Sequence, residues 1–132
     1  MALDETNNNN AYLLGRLFSV LEKVQLDSNP SMNATIRDRY YGAASRTPAM
    51  VFGNLIKLSM HHASKLSKAP RIRFDIVKSA IMDKISSIGF PRTLCLEDQG
   101  LFAIGYYHQR QSFYTKRSTD GNTNNSDEIS ND

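Results

Sequence analysis

Four interruptions divide the chain between Ala11 and Arg117: “DSNPSMN” (27–33), the Thr47–Pro48 step, “SKAP” (67–70) and “GFPRT” (89–93). Within the five stretches they separate, apolar residues recur at steps of three or four. That spacing lines one face of a helix, and no stretch shows the two-residue alternation of a half-buried strand. “RIRF” (71–74) is too short to count as one. The predicted fold is all-α, a single bundle of about five helices.

The first helix follows an Asn cap near Asn10 and runs to about Leu26, with Leu14, Leu17, Leu21 and Val24 on one face. Thr35 and Asp38 form a capping box for a short second helix that ends near “GAAS” (42–45). Thr47 caps the third, with Pro48 at its first position, where the missing N–H costs nothing. Phe52, Ile56, Ser59, Ala63 and Leu66 line one side of it. Asn54, Lys57, His61, Lys65 and Lys68 form a basic stripe on another. “SKAP” ends this helix. A fourth runs from about Arg73 to Ile88, with Phe74, Val77, Ile81, Ile85 and Ile88 inward. The fifth begins near Leu96. Glu97 and Asp98 in its first turn and Lys116 and Arg117 near its end suit the helix dipole. On it, Phe102 and Tyr106 read as core, and Gly105 as the point where another helix comes close.

A length of 132 residues fits one domain with its own core. The polar ends, 1–10 and 118–132, cannot repay the entropy of ordering and are expected to be disordered, leaving 11–117 as the bundle. The net charge of +3 hides an uneven layout. All sixteen Lys and Arg fall between Arg16 and Arg117, against seven acids there, a net +9; the other six acids lie in the ends. A basic body of this kind suits a polyanionic partner. The single cysteine, Cys95, permits no internal disulfide. No apolar run approaches the roughly 20 residues of a membrane span, and “MALDETNNNN” lacks the basic and apolar regions of a secretory signal. The expected location is the cytoplasm, with no membrane partner.

Catalytic chemistry finds no foothold in the motifs. No nucleophile elbow or phosphate-binding lysine loop is present. His61 and His62 are adjacent, so on a helix they point about 100° apart and chelate poorly. Cys95 has no Cys-x-x-Cys partner and sits where the fifth helix needs a cap. His108, in “GYYHQRQSFYTKR” (105–117), reads as a hydrogen-bonded, half-buried histidine rather than a base. Tyr107 and Tyr114 could stack on bases, but a tyrosine in a bundle more often buries its ring. A helix-turn-helix regulator fits poorly, because the third helix opens “TPAMVFGN”, apolar where base contacts belong. No enzymatic activity, metal or cofactor is expected.

The segments “AYLLGRLFSVLEKVQ”, “NATIRDRYYGAASRTPAMVF”, “LSMHHASKL”, “IMDKI” and “GFPRTLCLEDQGLFAIGYYHQRQSFYTKR” together resemble one family. It is the C-terminal region of the large subunit of the type I-C CRISPR surveillance complex (Cascade), which that system also makes as a separate small subunit from an internal start. The resemblance covers about Ala11 to Arg117, and “LEDQGLFAIGYYHQRQ” is its most specific part. A chain opening with its own Met looks like the small subunit. Cys95 departs from the Ser or Thr expected as a cap.

The resemblance implies a helical, non-catalytic part. Its partners would be the backbone subunits and large subunit, other copies of itself, the guide RNA–target DNA hybrid and the displaced single strand. Cutting would belong to a separate helicase-nuclease. The basic residues expected to meet phosphate are Lys57, Lys65 and Lys68 on the third helix, Arg71 and Arg73 in the following turn, and Arg110, Lys116 and Arg117 on the fifth. Arg37, Arg39 and Arg46 are secondary, since Arg37 and Arg39 flank Asp38 and could pair locally. The alternative is a structural adaptor whose basic face docks on acidic protein and never meets DNA.

Overall fold

The computed structural model describes residues 3–123, with side chains through Tyr114. Among the described residues it is an all-α bundle of five helices: α1 (Asn10–Ser28), α2 (Ile36–Arg46), α3 (Pro48–Ala63), α4 (Lys68–Ser86) and α5 (Leu96–Thr123).

The core is organised around α1, which packs against each of the other four helices. Every residue from Ala11 to Glu22 is buried. The sequence reading gave α1 a single apolar face; the structure encloses it on all sides. Burial of this kind removes apolar surface around the whole circumference, at roughly 25 cal/mol per Å². Phe18 is the aromatic hub, with ring centroids of Tyr41, Phe52, Phe102 and Tyr106 at 5.6, 6.4, 6.0 and 5.9 Å.

Two glycines let α5 lie directly on α1. A Cβ at Gly105 would sit 2.9 Å from the Tyr12 carbonyl carbon and inside contact distance of its oxygen. A Cβ at Gly15 would sit 2.8 Å from the Tyr106 nitrogen and closer still to the Phe102 carbonyl oxygen. The same seam satisfies the polar groups that α1 buries. Arg16 Nε donates to Gln109 Oε1 at 2.9 Å, and the Tyr106 hydroxyl donates to Glu22 at 2.5 Å. Burial and the Glu22 carboxylate push the Tyr106 phenol well above its ordinary range, so it remains a donor.

Helix starts follow local chemistry. The Asn9 side chain accepts from Tyr12 N, and Thr35 and Asp38 make a complete capping box. Thr47 closes α2 and opens α3, but its hydroxyl donates back to the Ala43 carbonyl at 3.0 Å. The α3–α4 boundary differs from the sequence reading. α3 stops at Ala63, and “SKAP” starts the next helix instead of ending this one. Pro70 falls in the first turn of α4, where the N–H groups have no intrahelical acceptor in any case. Ile88, expected inward, lies beyond α4 and is exposed.

The link to α5 threads across the α2–α3 junction. Phe90 stacks on Phe52 at 5.4 Å, Ala49 N donates to the Pro91 carbonyl, and Leu94 N donates to the Arg46 carbonyl. Gly89, at φ +87°, supplies the left-handed residue that lets the chain leave α4. Ahead of α1, within the span expected as a polar tail, Asp4 N donates to the Tyr12 hydroxyl and Lys84 Nζ donates to the Glu5 carbonyl. The boundary expected at 118 falls within α5; residues 124–132 lie outside the described residues. Among the described residues, no helix is long and apolar enough to cross a membrane.

Candidate nucleic-acid interface

Five of the eight candidate cations lie along the stretch from α3 through the turn into α4. Lys57 lies on α3, one turn before His61. Lys65 lies in the four-residue turn (64–67), Lys68 is the first residue of α4, and Arg71 and Arg73 follow in its opening turns. All five are exposed. The basic stripe assigned to the third helix is thus redistributed: Lys65 and Lys68 leave α3, and Arg71 and Arg73 belong to α4 and not to a turn. Lys65 and Lys68 thereby come to flank the start of α4.

The electrostatics of this stretch are unusual. The first turn of α4 contains no acid, and Ser67 makes no side-chain capping bond. A helix N-terminus carries about half a positive charge, and acids there ordinarily contribute about 0.3–1 kcal/mol. Here Lys68 and Arg71 stand in their place, with Lys65 just ahead of the cap. Within residues 68–75 the sole acid is Asp75. Among the described residues, the one ion pair within 4.0 Å is Lys23–Asp27, on α1. The stretch therefore carries positive potential that an anion would relieve.

His62 lies within this stretch, on α3. Its Nδ1 is buried without a hydrogen-bond partner. Burial first, then neighbouring His61 and Lys65, hold its pKa below the ordinary imidazole value, which keeps it neutral at neutral pH.

The α5 candidates stand on another element. Arg110 is half-buried beside Ser19, Glu22, Lys23 and Leu26 of α1. The side chains of Lys116 and Arg117 lie outside the described residues. Arg39 and Arg46 are exposed. Arg37 does not pair with Asp38, whose carboxylate is taken by the Thr35 capping box. Instead, one Arg37 Nη donates to the Tyr107 hydroxyl at 2.6 Å, and the guanidinium stands 5.5 and 5.7 Å from the Tyr106 and Tyr107 ring centroids.

His108 is half-buried and shares a hydrogen bond with the Tyr12 hydroxyl at 2.9 Å, the structural role read from the sequence. Because that hydroxyl accepts from Asp4 N, it is free to donate to His108 Nδ1. Among the described residues, no three His, Cys, Asp or Glu side chains come together as a metal-binding group. Tyr107 and Tyr114 depart from expectation: they are 46% and 50% exposed. Tyr106, one position from Tyr107 and four from Phe102, is fully buried, as its spacing indicated.

The fold and this surface define a class: a helical bundle with exposed cations from α3 through the turn into α4. Residues 1–114 match the family described as CRISPR-associated protein (Cas_Csd1), and the chain belongs to that family. No curated protein matches the chain.

Proposed function

We propose that this chain is the non-catalytic small subunit of a type I-C CRISPR surveillance complex. In this reading it supports the guide–target duplex and steadies the displaced DNA strand. The observation that carries it is the set of five exposed cations around the α3–α4 turn, beside a helix N-terminus with no acid of its own. Membership of the CRISPR-associated family supports the setting.

Exchanging a DNA duplex for a guide–target hybrid is nearly balanced in free energy, so modest attraction to the freed strand tips it. Phosphate contacts supply that attraction without reading sequence. The chain makes and breaks no bond; it shifts an equilibrium.

The test is a complex assembled with Lys57→Ala, Lys65→Ala and Lys68→Ala together. Full opening of the target should fall more than the initial search for it. Equal loss of both would indicate defective assembly and contradict the reading. A second reading, a purely structural adaptor, draws support from Ile72 and Ile76, which are 45% and 63% exposed on α4 among the same cations. On that reading, reversing the charge of these cations abolishes assembly.

A further inference from the structure

Between Leu96 and Tyr114, α5 presents an exposed stripe: Leu96, Ile104, Tyr107 and Tyr114 are 83%, 43%, 46% and 50% exposed. From Gln99 to Tyr114 the helix contains no acid. Its aromatic end is flanked by cations. Arg37 is fixed against Tyr107 by the 2.6 Å hydrogen bond to its hydroxyl, and Arg110 lies between the two tyrosines in sequence, at the edge of the depression that Tyr114 lines. Lys23, across that depression, stands 5.9 Å from the Phe113 ring centroid. Glu22 on this side is buried and accepts from the Tyr106 hydroxyl, Asp27 pairs with Lys23 at 2.8 Å, and the Asp38 carboxylate, next to Arg37, is held in the Thr35 capping box.

Exposed aromatic rings on a helix stretch without acids, beside guanidinium groups, suit one partner above others. Bases offer π-faces to the rings, and their phosphates offer charge to the arginines. We propose that Arg37, Tyr107 and Tyr114 form a stacking platform for the bases of a single-stranded nucleic acid, separate from the phosphate-binding cations at the α3–α4 turn. Tyr107 and Tyr114 are two helical turns apart, about 10.5 Å along the axis. That distance spans three base rises of about 3.4 Å, so the two rings can bracket a short run of bases. The platform rests on the proposed role at the displaced strand and gives that role a base-contacting element.

The experiment compares the full chain's binding to a single-stranded oligonucleotide carrying 2-aminopurine and to an abasic oligonucleotide of equal length. Stacking predicts altered 2-aminopurine fluorescence and weaker binding of the abasic strand. Tyr107→Ala and Tyr114→Ala should each weaken binding of the intact strand roughly 5- to 100-fold, with the salt slope unchanged. Tyr114→Phe, which keeps the ring, should restore it. Equal binding of both strands, unaffected by the Ala substitutions, overturns the platform and leaves the phosphate role standing. Binding of neither strand contradicts the role and the platform together. Unchanged strand binding with an altered sedimentation coefficient assigns the stripe to a protein neighbour and also overturns the proposal.

Discussion

Gly105 and Gly15 set the separation of α1 and α5, because each admits the backbone of the other helix where a methyl group would not fit. Gly105→Ala or Gly15→Ala should destabilise the fold by about 3 kcal/mol or more, read from denaturant midpoints, since the obstruction is backbone that cannot rotate away. Destabilisation below ~1 kcal/mol would mean the seam yields easily. Gly105 was legible because it interrupts an otherwise bulky helix; Gly15 was not, because its role depends on which helix crosses it. His62 gives a second prediction. Its folded pKa lies below its unfolded value of 6.5, so the fold favours the neutral ring. The stability contributed is present above the unfolded value and is lost as pH falls through the folded one. Stability measured from pH 8 to 5 should therefore decline on the acid side, and His62→Gln should flatten part of that decline. An unchanged profile would remove His62 as a cause.

Among the elements, α4 shows best where sequence reasoning stops. Its apolar residues Phe74, Ile81 and Ile85 were placed correctly, because inward spacing follows from helix geometry alone. Its start was misplaced, because a proline reads as a terminator unless its position within the first turn is known. The capping box at Thr35 and Asp38 was legible for the opposite reason: the two side chains complete it with the local backbone. The unfavourable charge at the start of α4 yields a paired prediction. Lys68→Glu should stabilise the protein by about 0.3–1 kcal/mol through the helix dipole while weakening DNA binding. Thermal denaturation and a binding titration on the same sample check both. Loss of stability together with binding would show that Lys68 serves the fold.

At the scale of the molecule, an enclosed central helix frees the outer helices to carry function on their exposed faces. α1 holds buried Arg16 and Glu22 within the α1–α5 seam, whereas the outer helices and the turn between α3 and α4 carry the exposed cations. A surplus of positive charge was readable from composition, since it needs only counting. Its division among α3, the turn and α4 was not, because that follows from where α3 stops and α4 begins. The exposure of Tyr107 and Tyr114 escaped because the general tendency of tyrosine to bury its ring was set above their position off the Phe102–Tyr106 face.

The most direct measurement is the salt dependence of single-stranded DNA binding by the wild-type chain and by the Lys57→Ala/Lys65→Ala/Lys68→Ala variant, with folding verified by circular dichroism. Each phosphate contact adds about 0.7 to the slope of log affinity against log salt for a single strand. Loss of three contacts should therefore reduce the slope by about 2 and weaken binding at low salt. A folded variant with the wild-type slope would contradict the claim that these lysines hold phosphate.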